Sequence, residues 1–341
     1  MRIGIAGAGL LGRLLAFQLG RAGHAVEVFD PAADANARAA AGWTAAGMLS
    51  PVAELECADQ GVFALGLRSL DLWPQWLAQL DQPVQFSRRG SLLLAHRGDE
   101  GAAQRVVELL RSKAPASHAP EALTPAQLRE LEPTVQGPAH AWLLQGEGQI
   151  HTVQAMQALA CASRGVTWHW QHTVDQVQAS SLRANGELHR FDWVFDVRGL
   201  GARPQLPLRG VRGEIFWLHA PGVALQRPLR LLHPRHRVYL VPREGDVVVV
   251  GASEIESEDR SPVSVRSTVE LLAAAHSVLP ELAEARLIHS ETNLRPALPD
   301  NLPRVDSQAG LTRINGLFRH GWLIAPALVQ DALHHMETTK A

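Results

Sequence analysis

Arg2-Ile3-Gly4-Ile5-Ala6-Gly7-Ala8-Gly9-Leu10-Leu11-Gly12 opens the chain and decides how the rest is read. The first five residues predict a short buried strand. Arg13 to Arg21 carries an amphipathic helical pattern, with Ala16 and Leu19 continuing its packing face and Gly23 ending it. A second apolar strand, Ala25-Val26-Glu27-Val28-Phe29, ends in Asp30. Strand, glycine turn, helix, strand and acid in this order form a Rossmann dinucleotide site, whereas a glycine pattern alone is no more than a turn. Gly7 allows the tight turn, Gly9 lets the backbone approach a pyrophosphate, and Gly12 lets helix and strand pack closely. The phosphates belong on the helix N-terminus, where unpaired amides and the helix dipole favour negative charge. Asp30 is placed to accept from a ribose hydroxyl. An acid there argues against a 2′-phosphate and leaves NAD or FAD ahead of NADP.

Outward from this unit, Pro31 to Gly42 is rich in alanine and reads as a loop or a short helix. Trp43-Thr44-Ala45-Ala46-Gly47-Met48-Leu49-Ser50-Pro51 then breaks the composition. An ordinary NAD-binding unit proceeds to another crossover. A long loop of small residues instead suits backbone lying flat against a large planar ligand; the plain alternative is a connection ended by Pro51.

The chain has 341 residues, 46% hydrophobic and 19% charged, with a net charge of −2. That length suits two domains. The charge gives no basic field for nucleic acid, and no basic run suggests a membrane surface. Only Lys113 and Lys340 are lysines. Cys57 and Cys161 are far apart and read as two buried apolar thiols, not as a disulfide or redox pair. His233 and His236 have a suggestive separation but no third ligand nearby, so no metal site is expected. The chain begins with a strand-forming segment, without a signal-peptide pattern, and has no apolar run of spanning length; a cytoplasmic protein is the default expectation.

Further along, Phe63 to Leu80 has helical periodicity that Pro74 is expected to kink or divide. Val84 to Phe86 and Ser91 to Ala95 read as strands around Arg88-Arg89-Gly90. Ala102 to Arg111 is helical. Thr124, Pro125 and Gln127 form a capping box, and Pro133 closes that helix. His140 to Leu144 suits a strand, with a turn at Gly146-Glu147-Gly148. The Thr152 to Ser163 helix leads through Gly165 into the strand Val166 to Trp170. Val174 to Val177, a hairpin at Ala184-Asn185-Gly186 and Trp193 to Val197 continue as strands. The texture then becomes all-β: Gly213 to Leu218, Arg237 to Pro242, Asp246 to Gly251 and Ala285 to Leu294. A helix from Val263 to Leu279 interrupts it, and one from about Leu323 to Met336 ends the chain after a strand over Gly310 to Ile314. The fold expected is α/β: a dinucleotide-binding unit of residues 1–80, 140–208 and 300–341, interleaved with an α+β antiparallel-sheet unit of 81–139 and 209–299 that holds substrate.

Eight segments in order, GAGLLG at Gly7, AAGML at Ala45, LTPAQLRELEP at Leu123, VRGE at Val211, YLVPREG at Tyr239, VVGAS at Val249, LRPALPD at Leu294 and FRHGWLIAP at Phe318, resemble the FAD-dependent D-amino-acid oxidase superfamily along nearly the whole chain. The likeness is strongest to its glycine oxidase branch, which serves the thiamine pathway. The resemblance implies a non-covalent FAD, because no cysteine lies near the final section. It assigns Gly7, Gly9, Leu10, Leu11, Gly12 and Asp30 to the dinucleotide, and Ala45, Ala46, Gly47 and Met48 to the flavin ring. Val174 matches a strand residue whose backbone meets adenine, and Gly199 the return of the chain to the cofactor. His320, Gly321, Trp322, Leu323 and Ile324 match the turn into the last helix, whose amides face the pyrimidine edge of the flavin. Tyr239, Arg295 and Arg319 match positions that hold the substrate carboxylate. This chain departs from the family pattern at Asp196-Val197-Arg198-Gly199, at Asp300 to Asp306, and at His320, where asparagine is common.

From the residues alone, Tyr239 also suits core packing and Arg295 a surface ion pair, although an apolar neighbour and Pro296 favour a fixed guanidinium that needs an anion. Glu254, just past the strand ending at Gly251, reads either as a pocket group or, more simply, as a solvated edge charge. The activity implied is oxidation of a small amino acid by hydride transfer to FAD, with oxygen as acceptor and hydrogen peroxide as product. The partners expected are that substrate and oxygen, with a homo-oligomer possible. The rivals are a flavin dehydrogenase that passes electrons to a quinone or protein, an NAD-dependent dehydrogenase, and a non-catalytic flavin-binding module.

Overall fold

Arg2–Ala6 is a strand with its last four residues buried, Leu10–Arg21 a helix and Ala25–Asp30 a second strand, in a computed structural model that describes residues 1–233 and 237–339. The two strands pair in parallel from Arg2↔Ala25 to Ala6↔Phe29. Around them a six-stranded sheet forms in the order Arg304–Gln308, Leu311–Asn315, Trp193–Asp196, Arg2–Ala6, Ala25–Asp30, Val166–Trp170. Its inner strands run parallel, and only the Arg304–Gln308 edge turns back antiparallel. Apolar runs such as Ile3, Ile5, Val26, Val28 and Phe195 pack against the first and last helices in one core, as parallel strands covered on both faces require.

The middle of the chain builds an eight-stranded sheet in the order Arg286–Ala297, Arg209–His219, Val247–Gly251, Arg237–Arg243, Leu229–Leu232, Ser91–Ala95, His140–Leu144, Glu121–Leu123. All its pairings are antiparallel except Leu229–Leu232 with Ser91–Ala95. His140–Leu144, just past the expected 139/140 division, pairs within this sheet. The mixed α/β architecture of a Rossmann-type sheet beside an antiparallel one is the one the sequence pattern implies.

The capping box at Thr124 is present, with both of its reciprocal hydrogen bonds. The hairpin after Ala184 turns through Asn185 and Gly186, both at positive φ (49° and 82°), as a primed two-residue turn needs. Other expectations need correcting. The helix Gln60–Leu77 runs through Pro74 undivided, and its last turn closes by Ala78 N–H to the Pro74 carbonyl (3.1 Å). The two strands flanking Arg88-Arg89-Gly90 form but join different sheets: Phe86–Ser87 pairs with Gly148–Ile150, and Ser91–Ala95 joins the large sheet. Gly148 accordingly begins a strand. Cys57 and Cys161 are free and exposed, not buried. Cys57 lies beside charged groups, and Arg237 Nη2 stands 2.8 Å from its sulfur. His236 falls outside the described residues. Among the described residues no group of three or more His, Cys, Asp or Glu is arranged to hold a metal, and no helix is long and apolar enough to cross a membrane.

Candidate functional site

A cavity of about 540 Å³ lies between the two large sheets, reaching from Asp30 and Val174 on one side to Tyr239, Arg295 and Arg319 on the other. At the dinucleotide end, Gly7 adopts φ +105°, and a Cβ there would meet the Val197 carbonyl at 2.8 Å. A Cβ on Gly12 would lie 1.9 Å from the Gly7 carbonyl, so helix and turn touch backbone to backbone. Gly9 differs: its Cβ would meet nothing nearer than Ala40 at 3.6 Å. The bare face of Gly9 lines the cavity, at the start of a helix with no side-chain cap. Uncapped first-turn amides beside an open glycine suit a pyrophosphate. Asp30 accepts from Ala8 N–H (2.6 Å) and Ala32 N–H (2.8 Å). Its carboxylate therefore fixes the turn while keeping lone pairs for a ribose hydroxyl.

The small-residue loop is tied down from behind. The carbonyl of Ala45 accepts from Thr152 Oγ1 (2.9 Å), that of Ala46 from Arg243 Nη2, and that of Gly47 from Ile150 N–H (2.9 Å). Gly47 is at φ +71°, where a Cβ would strike the Ile150 carbonyl at 2.1 Å. With three of the loop's carbonyls anchored from behind, Ala45, Ala46, Gly47 and Met48 line the cavity. Two residues not singled out in the sequence hold this loop. Burial lowers the Arg243 pKa to about 9. Buried Asn293 donates through Nδ2 to the carbonyls of Arg38 (3.3 Å) and Ala40 (3.2 Å) and to Thr44 Oγ1 (3.1 Å).

Gly199 lines the same cavity at φ +56°. Val174 lines it too, and its carbonyl accepts from Arg198 Nη1 (2.8 Å), which is also paired with Asp196 at 2.9 Å in a nearly buried ion pair. The unusual Asp196–Arg198 segment thus braces the strand residue expected to meet adenine. Gly321 and Trp322 line the cavity at the start of the last helix. Gly12, His320, Leu323 and Ile324 stand behind the wall: Gly12 on the Gly7 carbonyl, Leu323 against Gly66, and Ile324 in the core.

At the other end Tyr239 lines the cavity beside Ile215, Ala252 and Met48. Burial raises the phenol pKa, with Arg295 opposing, so the hydroxyl stays a donor at neutral pH. Arg295 Nη1 donates to the Ser253 carbonyl (3.1 Å), and among the described residues no carboxylate lies within ion-pair distance of this guanidinium. Arg319 is placed differently. Its Nε donates to Glu54 Oε2 (2.8 Å) and its Nη1 to Glu254 Oε2 (3.4 Å). Glu254 reaches the rim of the cavity while its side chain stays exposed to solvent, so the pocket reading and the edge-charge reading both hold in part.

Glu54, missed in the sequence, is the anionic node of this end. Burial alone would raise its pKa, but Arg319, His320 Nδ1 at 3.0 Å and Arg230 at 3.7 Å outweigh burial and hold it below the usual carboxylate range. The one sequence signal for this network is Arg230 between leucines in Leu229-Arg230-Leu231-Leu232, a cation in an apolar strand that demands a buried partner. Glu54 ends the short helix Pro51–Glu54, whose first amides, on Val52 and Ala53, donate to the buried Glu147 (both 3.0 Å).

Comparison with known proteins agrees with this geometry. The family model described as FAD dependent oxidoreductase matches residues 2–330. A putative thiamine biosynthesis oxidoreductase, ThiO, of Rhizobium etli is 36% identical over 340 residues, covering 99% of this chain and 97% of that protein. A glycine oxidase of Geobacillus kaustophilus is 26% identical over 361 residues, covering 98% and 93%. The crystal structure of glycine oxidase from that organism superposes with a TM-score of 0.85 at 24% identity, covering 99% of this chain and 95% of that one.

Proposed function

The chain belongs to the FAD dependent oxidoreductase family, and we propose that it oxidises a small amino acid, namely glycine, sarcosine or a small D-amino acid, to the imino acid and thence the 2-oxo acid. Oxygen is the proposed electron acceptor, hydrogen peroxide the co-product, and thiamine biosynthesis in the cytoplasm the proposed setting, in line with the name of the R. etli relative. One observation carries the reading: Arg295 presents a guanidinium that has no carboxylate partner among the described residues to a cavity it shares with Tyr239.

FAD fits the residues present. The amides after Gly9 and the carboxylate of Asp30 suit its pyrophosphate and ribose, the anchored Ala45–Met48 backbone its ring, and the start of the last helix at Gly321 and Trp322 its anionic edge. When bound, it supplies the hydride acceptor for the substrate Cα–H. The chain's own part is position and charge. Arg295 takes the substrate carboxylate through its fork of donors, and the neutral Tyr239 phenol adds a hydrogen bond. Glu54 is not the proton acceptor, because Arg319, His320 and Arg230 leave its carboxylate a weak base. The substrate amine is therefore bound neutral, its proton given up to solvent. Arg319 is held by Glu54 through Nε and by Glu254 through Nη1, while its buried Nη2 has no hydrogen-bond partner among the described residues and is left as a second donor for an anion.

The test is anaerobic mixing of the purified yellow protein with single amino acids. Glycine, sarcosine and D-alanine should bleach the flavin, and L-alanine should not, because its methyl group meets the ring or wall when its carboxylate lies on Arg295. Equal bleaching by the two alanines overturns the reading. Arg295→Ala should keep its flavin but lose about 2–5 kcal/mol of substrate binding. Oxygen uptake, compared with turnover that needs an added dye, identifies the acceptor.

A further inference from the structure

We propose that Gly213 is a positioning residue for carboxylate recognition: its bare α-carbon is the floor on which the Arg295 guanidinium lies. The proposal rests on the amino-acid reading of the cavity. Gly213 sits inside the long strand Arg209–His219, buried, next to Arg286–Ala297, where Val211 stands opposite Arg295 and Gly213 opposite Asn293. A glycine inside a strand weakens it and needs a reason. The backbone supplies none, because Gly213 is not among the residues at positive φ. The reason is space. A Cβ built on Gly213 would lie 2.5 Å from Arg295 Nη2, 2.6 Å from Cζ and 2.8 Å from Nη1. The whole fork rests on the missing side chain, while Nη1 is held from the side by the Ser253 carbonyl. Gly251 does the same for the ring of Tyr239, its virtual Cβ lying 2.7 Å from Cε2. There the Ile215 side chain is also struck, at 2.9 Å, so a substitution at Gly251 disturbs packing as well. Gly213 gives the cleaner experiment, because everything its Cβ meets first is the end of one flexible side chain.

Gly213→Ala, studied as the flavin-bound protein, should fold, keep its colour and melt near the wild-type temperature, with the guanidinium displaced in its crystal structure. Acetate, followed through the shift it causes in the flavin spectrum, should bind on the order of tenfold more weakly, the scale of losing one of two parallel donor contacts. The KM for glycine should rise by a similar factor, with kcat changed less. In an Arg295→Ala background the same substitution should add nothing. Gly210→Ala on the same strand meets Leu294 Cδ1 first, at 3.1 Å, and should leave acetate binding unchanged. Wild-type affinity for acetate in Gly213→Ala, release of its flavin, or a full additional loss in the Arg295→Ala background would each overturn the proposal. A wild-type flavin that responds to neither acetate nor glycine would overturn the amino-acid reading itself, and the carboxylate role with it.

Discussion

Glu147 accepts from the amides of Val52 and Ala53 and from the Ser91 hydroxyl, yet its complete burial outweighs these bonds and raises its pKa from 4.5 to about 7. A carboxyl raised in the folded state binds its proton more tightly there than in the unfolded chain. Its contribution to stability is therefore full below about pH 4.5, declines as pH rises through about 7, and stays lost above. The difference corresponds to about 3 kcal/mol. Glu147→Gln keeps an oxygen for the two amides and a donor for Ser91 without the charge. Denaturant unfolding should find it close to wild type near pH 4.5 and more stable than wild type at pH 8 by up to that amount; equal stability at both pH values would contradict the argument. Glu54 has the opposite sign. Its pKa is depressed, so its stabilisation is present above the unfolded value and is lost only in acid. Removing this partner from Arg319 and Arg230 in Glu54→Gln should cost about 3–5 kcal/mol at pH 7, seen as a lower unfolding midpoint. Tyr239 and Arg295 were legible in the sequence because each lies in a motif that the family resemblance marks. Glu54, Glu147 and Asn293 were not, because their roles depend on partners 56 to 266 positions away, and nothing local in the sequence distinguishes them from surface polar residues.

The glycine turn and the helix caps are where local sequence determines an element outright. The second and third glycines of the pyrophosphate turn make a matched test. Gly9→Val adds its bulk to the cavity, since even the Cβ clears the protein by 3.6 Å. It should fold, with a wild-type far-ultraviolet spectrum, and emerge colourless. Gly12→Ala drives a methyl group into the Gly7 carbonyl and should lose both stability and flavin. A yellow Gly9→Val protein would remove the pyrophosphate from this turn. Thr124→Ala, which breaks a cap far from the cavity, should cost about 1 kcal/mol and leave the flavin alone. Elements fixed by distant pairing were harder to read. Gly148–Ile150 is too short to show a period and is a strand only because the remote Met48–Leu49 and Phe86–Ser87 complete it, while Arg304–Gln308, a mostly exposed, polar edge strand without alternation, is paired among the described residues only with its hairpin neighbour Leu311–Asn315.

At the scale of the whole molecule, the cavity is bounded by Asp30 and the Gly7–Gly9 turn at the end of the six-stranded sheet and by Ile215, Tyr239 and Arg295 on the eight-stranded one. A ligand that fills it touches both sheets, so its binding energy is available only when both are folded, and it should stabilise them together. Mass action sets the size: free FAD at one hundred times its Kd adds about 2.7 kcal/mol to the folded state, provided the unfolded chain does not bind it. The shift should depend on the whole dinucleotide. FMN lacks the adenylate half and so forgoes the end of the cavity formed by Asp30, Val174 and Arg198. Thermal unfolding of apoprotein titrated with each flavin provides the measurement. FAD should raise a single transition steadily with concentration, FMN at equal concentration should raise it far less, and Gly9→Val should respond to neither. Two transitions of which FAD moves only one would show that the cofactor joins one sheet alone. Equal shifts from FMN and FAD would mean that the Asp30 end of the cavity contributes nothing to holding the cofactor.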